Sequence, residues 1–292
     1  MSTPQPRVWL STSTGLGYGL AEIALEKGDK VVATARNPAA LDSLVAKFPK
    51  ERLLTVKVDV TVPEDITAAF ERAKEVFGRL DVVVNNAGYS DLGEVESMDL
   101  SRARLNVDTN FWGTVIGTRE AIKFFREVNP PGVGGRIIQV SSMLGIFAQP
   151  VVTFYCATKF AINGFTEGIS QELDPSWNIK LTCFAPGYTA SAGYQKSSWS
   201  EPHPAYTNPE LPSNQMRAHF GNFVPPGDTR KVMQRCYELS LLEDPPLYLP
   251  IGDDALGRVR QKIELYQETL EKYASWTVGT QVENHKVMNE EQ

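Results

Sequence analysis

The feature that most constrains the fold is a repeated alternation of short runs rich in β-branched residues with stretches long enough for a single helix. The runs Val8–Leu10, Val31–Thr34, Leu53–Val58, Val82–Val84, Ile137–Val140, Ile179–Phe184 and Leu247–Ile251 read as strands. They are almost continuously apolar, as strands buried on both faces are, and do not alternate in the manner of a half-exposed sheet. Such strands, separated by helices, assemble into a parallel sheet with right-handed crossovers and helices on both sides. The expected fold is therefore α/β, a doubly wound parallel (Rossmann) sheet of about seven strands. With 292 residues, 42% of them hydrophobic, there is material for one large core, and residues 1–292 are expected to form a single domain.

Two segments stand outside the alternation. Helix periodicity lapses over 191–227, where six prolines accompany Trp199, Tyr206, Phe220 and Phe223; an excursion of that length within a compact domain is expected to be functional. After the last strand a helix is expected over 253–276. Its residues Leu256, Val259, Ile263, Tyr266, Leu270 and Tyr273 recur at three-four spacing and form one stripe. That stripe is expected to dock on the body of the chain and shield the substrate side, with plain structural cover as the alternative.

Composition removes several function classes. No run approaches the roughly 18 apolar residues of a membrane helix, and MSTPQPRVW has no basic stretch leading into an apolar segment. A soluble, cytoplasmic protein without a membrane partner is expected. The net charge of -6 disfavours nucleic acid, whose phosphates require a concentrated basic surface. Cys156, Cys183 and Cys236, like His203, His219 and His285, are too scattered for a disulfide framework or a metal site. A small-molecule partner remains.

In doubly wound sheets ligands lie beyond the carboxyl ends of the strands, and the unusual residue clusters of this chain follow predicted strands. After the first come Ser11, Ser13, Thr14, Gly15, Leu16 and Gly17, leading into a helical pattern. A glycine-rich strand-to-helix turn lets the backbone approach a pyrophosphate and aims helix N–H groups at it. The common G-x-G-x-x-G pattern is not met, because Leu20 holds the last glycine's place. At the end of the second strand an NAD site carries a carboxylate for the ribose hydroxyl; here the residues are Thr34, Ala35 and Arg36. An available guanidinium and no carboxylate favour a 2′-phosphate, hence NADP(H), although a solvated strand-end charge is the plainer reading of Arg36.

Tyr155 and Lys159 stand four apart in a helical pattern and share a face. A free phenol, with a pKa of about 10, gives little phenolate at neutral pH, and a nearby cation favours ionisation. Tyr155 can then serve as general acid or general base. Ser142, at the end of the fifth strand, is placed to polarise a substrate oxygen. Ser141 is the weaker candidate because adjacent strand residues face opposite ways. Cys156 falls on another helix face and is expected to pack. Taken singly, a helical Tyr–Lys pair, a strand-end serine and the helical Asn110 are ordinary surface or capping residues.

Taken together they resemble the short-chain dehydrogenase/reductase family over nearly the whole chain. The resemblance rests on Asp59-Val60, Asn85-Asn86-Ala87-Gly88, Asn110, Ser142, Tyr155 with Lys159, and Pro186-Gly187, in the family's order and spacing. Pro245–Pro250 and the following helix look like the subgroup with a longer C-terminus that handles hydrophobic alcohols and ketones. The resemblance implies a catalytic set of Asn110, Ser142, Tyr155 and Lys159, with Lys159 also bonding the nicotinamide ribose and Asn110 holding a water. It implies that Asp59 and Val60 meet the adenine and that Asn86, Ala87 and Gly88 line the ribose side. Pro186, Gly187, Thr189 and Ser191 would hold the carboxamide. The family's turn T-G-x-x-x-G-x-G is not reproduced: without a gap its Thr-Gly falls on Leu10-Ser11, and with one, two residues are missing upstream.

The expected function is NADP(H)-dependent hydride transfer to or from a small hydrophobic ketone or secondary alcohol, by a homodimer or homotetramer. Ala157, Ala161, Gly164 and Gly168 form a small-residue stripe that suits a helix-to-helix interface or packing on the chain's own sheet. The alternatives are a catalytically weak cofactor sensor or scaffold and, more remotely, a sugar-nucleotide epimerase, which needs a larger C-terminal domain.

Overall fold

The computed structural model describes residues 5–12, 14–191, 198–220 and 223–281. In chain order the strands are β1 (Val8–Thr12), β2 (Lys30–Ala35), β3 (Leu53–Lys57), β4 (Val82–Asn85), β5 (Asp91–Leu92), β6 (Gly135–Val140), β7 (Ile179–Pro186), β8 (Ser198–Trp199) and β9 (Tyr248–Ile251). The α-helices are α1 (Leu16–Glu26), α2 (Asp42–Lys47), α3 (Pro63–Phe77), α4 (Leu100–Val107), α5 (Gly113–Glu127), α6 (Thr153–Glu172), α7 (Pro212–Phe220), α8 (Thr229–Leu239) and α9 (Asp253–Tyr273).

Seven strands form one parallel sheet in the order β3-β2-β1-β4-β6-β7-β9. Period-two geometry divides the apolar runs between its two faces. Trp9, Val31, Ala33, Val82 and Val84 join Leu20, Ile23, Met233 and Cys236 beneath α1 and α8. Val8, Leu10, Val32 and Val83 join Phe70, Ala121 and Phe125 beneath α3 and α5. This two-sided burial is why the strands carry no polar alternation. The strand order reverses between β1 and β4, and the crevice beyond their carboxyl ends is where such sheets bind ligands.

Two expectations need correction. The excursion holds structure that the sequence did not suggest: β8 pairs with β5, and α7 is a regular helix. Pro212, one of the six prolines of the excursion, begins α7, where its missing N–H is harmless. Second, the C-terminal stripe does not dock on the chain's own body. Ala255 is buried and Val259 half-buried, but Ile263, Tyr266, Leu270 and Tyr273 are exposed, because α9 leaves the sheet edge after its first turns. Of the two readings left open for the small-residue stripe of α6, packing on the sheet is the one not met. Ala157, Ala161, Gly164 and Gly168 face outward, and a Cβ added at either glycine meets nothing within 4 Å.

Candidate active site

The turn after β1 is built for close approach. Ser11 pairs within the strand opposite Ala33 and Val84, so it is a buried strand residue and the turn proper starts after Thr12. Gly15 has φ 56° and ψ -120°, a conformation that favours glycine. A Cβ on Gly17 would lie 2.0 Å from the Thr12 carbonyl oxygen and 2.7 Å from Asn86 Nδ2. Asn86 stitches the turn to β4: its backbone N–H donates to Thr12 Oγ1 (2.9 Å), and its Nδ2 donates to the carbonyls of Thr12 (2.8 Å) and Thr14 (3.0 Å). Among the described residues no side chain caps α1 and its first turn carries no acid, so its positive end is open to an anion. Leu16 opens that helix. Ser13 lies outside the described residues.

Farther along the crevice, Arg36 is exposed at the end of β2, next to the buried Ala35. Asp59 accepts from the N–H and hydroxyl of Thr61, which hold its carboxyl below the usual range; Arg36 adds a smaller pull in the same direction. Val60 closes on Gly113, where a Cβ would stand 2.9 Å from its side chain. Ala87 and Gly88 continue the loop after β4.

The expected proton-handling residues converge beside that loop. Lys159 is 3% exposed and Asn110 fully buried, and a Cβ on Gly88 would lie 3.2 Å from Asn110 Oδ1 and 3.5 Å from Lys159 Nζ. Asn110 lies in a π-helical turn, Asp108–Trp112, which interrupts the run from α4 into α5; such single turns recur at functional sites. Its Oδ1 accepts from the Tyr89 N–H (3.0 Å), and its Nδ2 donates to the Tyr89 carbonyl (3.0 Å) and Thr158 Oγ1 (3.1 Å). The side chain thus pins the loop after β4 to the start of α6. A water held here would have to use other atoms of Asn110.

Ser142 lies two residues beyond β6, and its Oγ accepts from the Leu144 N–H at 3.1 Å, capping a short 3-10 turn. Its hydroxyl also interacts with the Tyr155 phenol. Ser141 is committed elsewhere, donating to Asn163 Oδ1, and Cys156 packs among Met143, Leu144 and Val152.

The electrostatics overturn one expectation. Lys159 was expected to lower the phenol's pKa, but desolvation pushes Tyr155 up to about 12, with Ser142 only partly offsetting it. Lys159 Nζ donates to the Val140 carbonyl (2.7 Å) and lies 5.5 Å from the centroid of the Tyr155 ring. Burial brings its own pKa down to about 8. At neutral pH Tyr155 is therefore an uncharged phenol, while Lys159 remains mostly an ammonium whose charge burial disfavours.

At the end of β7, Pro186 leads into Gly187 and Tyr188. Thr189 is 8% exposed and donates to the Gly187 carbonyl, and the Ser191 N–H donates to the Thr189 carbonyl. What fixes this corner leaves no signal in local sequence. Asp254, in the first turn of α9, accepts from the Tyr188 N–H (2.7 Å) and fills space that only glycine at 187 leaves open. Nor does it reveal that Glu94 and Arg217 form a bidentate pair (2.6 and 2.9 Å) tying α7 to the segment after β5. Tyr188, Trp199, Phe220 and Phe223 join edge to face above this region. Asp254 and Tyr188 are 66 positions apart and Glu94 and Arg217 are 123 apart, separations at which sequence spacing carries no signal.

Residues 9–202 match the family model described as short chain dehydrogenase. An uncharacterized oxidoreductase of Schizosaccharomyces pombe is 37% identical over 266 residues, covering 89% of this chain and 86% of the relative. A short-chain dehydrogenase from Streptomyces avermitilis superposes with a TM-score of 0.84 at 28% identity, over 96% of this chain and all of the other. More distant solved relatives share the fold: one from Burkholderia cenocepacia in complex with NADP has a TM-score of 0.70 at 24% identity, over 91% of this chain and 97% of its own. One from Burkholderia phymatum in complex with NAD has a TM-score of 0.74 at 20% identity, with the same coverage. With its switch-point crevice, glycine turn and Asn–Ser–Tyr–Lys cluster, the chain belongs to the short-chain dehydrogenase family of oxidoreductases.

Proposed function

We propose that the protein is an NADP(H)-dependent oxidoreductase that transfers hydride between the nicotinamide and a hydrophobic ketone or secondary alcohol. The observation that carries this reading is the convergence of the Tyr155 phenol, the buried Lys159 and Asn110 beside the Gly88 loop, which Asn86 ties to the glycine turn. The cradle at Gly15–Gly17, which a single Cβ would fill, fits a dinucleotide.

When bound, the dinucleotide supplies or accepts the hydride. The chain's own residues manage the oxygen. Ser142 and Tyr155 hydrogen-bond the carbonyl oxygen, and Tyr155 donates its proton to the forming alkoxide. The Tyr155 phenol is protonated at neutral pH and so holds the proton that carbonyl reduction requires. In oxidation Tyr155 takes the alcohol's proton, aided by positive charge on Lys159. Lys159 also serves the ribose, while Asn110 holds the Tyr89 loop and α6 in register.

Preference for NADP(H) rests on Arg36, exposed next to an Ala35 that offers no carboxylate. A charge-assisted contact to the 2′-phosphate corresponds to about tenfold discrimination or more. The test is a panel of aryl and alicyclic ketones with NADPH and NADH, followed by nicotinamide absorbance. NADPH turnover is expected, with preference moving toward NADH in Ala35→Asp. Equal use of both cofactors refutes the NADPH assignment, and binding without turnover supports the sensor reading instead.

A homodimer belongs to the same proposal. Leu100, Leu105, Trp112 and Phe160 are exposed on α4, the π turn and α6, and the outward glycine stripe of α6 leaves room for a second helix. Light scattering at micromolar concentration should give a multiple of the monomer mass; a monomer mass contradicts it.

A further inference from the structure

Gln149 lies on the segment between the 3-10 turn that Ser142 caps and the start of α6. It is 6% exposed, and its Oε1 accepts a hydrogen bond from the Tyr188 hydroxyl. Its Nε2 has no partner among the described residues, yet it retains some accessible surface. A donor that meets solvent on an otherwise enclosed residue is open to an acceptor on a bound molecule.

The surroundings set Gln149 close to the residues that carry the catalytic phenol. Tyr188 is held by its backbone N–H on Asp254 (2.7 Å) and by its ring, edge-on to Phe223 at 4.9 Å and Phe220 at 6.2 Å. Tyr188 and Tyr155 both pack on one cluster of Leu92, Met143, Leu144, Val152, Cys156 and Ala255. Two residues after Gln149, Val151 adopts φ 60°, strained for a β-branched side chain, while its carbonyl accepts from the Gly93 N–H at 2.8 Å. Strain of this kind persists only where surrounding contacts hold a segment in one shape.

We infer that Gln149 is a specificity-determining residue. Its Nε2 donates to a second acceptor oxygen on the substrate while Ser142 and Tyr155 hold the reacting oxygen. The substrates favoured are ketones bearing another carbonyl, ester or ether oxygen a few bonds from the reacting carbon, with their apolar part against the aromatic wall. This inference rests on the oxidoreductase reading above.

The test compares kcat/KM for an aryl β-keto ester and for an aryl alkyl ketone of similar size, with NADPH, in the unmodified protein, Gln149→Met and Gln149→Asn. Methionine keeps the length without the donor, and asparagine withdraws the amide from Tyr188. The expected result is a loss of about tenfold on the keto ester in each folded variant. The simple ketone and NADPH affinity should stay within twofold. An unchanged ratio between the two ketones overturns the inference, as does an equal loss on both, which marks a structural role. If the unmodified protein binds NADPH but reduces neither ketone, the oxidoreductase reading fails first and the inference falls with it.

Discussion

Removing Arg217 should release the substrate-side excursion without touching the cofactor site. The Glu94 side chain is 1% exposed and that of Arg217 16%. Both carboxylate oxygens receive guanidinium hydrogens, a third goes to the Ser200 carbonyl, and the guanidinium lies 4.7 Å from the Trp199 ring centroid. Glu94 is held at about 2, against an ordinary 4.5, chiefly by its hydrogen bonds from Arg217. That shift corresponds to about 3 kcal/mol favouring the charged form, an upper figure because part of the cation meets solvent. Because the folded pKa is depressed, the contribution is fully present above pH 4.5 and fades as pH falls toward 2. Arg217→Met leaves a buried carboxylate unpaired, which costs about 3–5 kcal/mol unless the excursion detaches to hydrate it. Detachment confines the damage to that segment. Limited proteolysis should then cut first within 191–227, and KM for ketones should rise about tenfold or more while NADPH affinity holds. A double-mutant cycle with Glu94→Gln, read by denaturant unfolding or by protease susceptibility, should return about 2 kcal/mol of coupling. Coupling below about 0.5 kcal/mol, or unaltered proteolysis and KM, refutes the reasoning.

Two further outcomes follow from the geometry. Gly17→Ala places a methyl against the Thr12 carbonyl at 2.0 Å, so the turn must open; a stability loss of about 1–3 kcal/mol and at least tenfold weaker NADPH binding are expected by thermal melting and fluorescence titration, and unchanged binding would show that the turn does not cradle the dinucleotide. Lys159, with its folded pKa lowered to about 8, should lose its charge as pH rises, so kcat/KM for NADPH should fall about tenfold per unit above pH 8, whereas stability relative to Lys159→Met should increase between pH 8 and about 10.4; a flat profile contradicts the lysine's role.

The sheet was legible because burial on both faces leaves a direct mark on composition. Val31, Val32 and Ala33 are all fully buried, and no other environment requires such a run. The glycine turn and the Tyr155–Lys159 spacing were legible because they depend on one turn and one helix. Less visible were features whose cause lies far along the chain: Asp254 under Tyr188, Arg217 on Glu94, and Gln149 beneath the Tyr188 hydroxyl. α7 was hidden because proline at a helix start and proline as a breaker look alike in sequence. The upward shift of the phenol left no mark because spacing reports that Lys159 is near Tyr155, but not how deeply the phenol is buried.

The most direct test of the account is turnover by Tyr155→Phe. The substitution removes only the hydroxyl that interacts with Ser142 and keeps the ring against Met143 and Leu144. The account predicts that reduction of a ketone by NADPH falls by about 100- to 10,000-fold, while NADPH affinity and melting temperature remain close to those of the unmodified protein. Retention of more than about 5% of activity, against a hundredfold loss or greater for removing a general acid, would contradict Tyr155 as the proton donor.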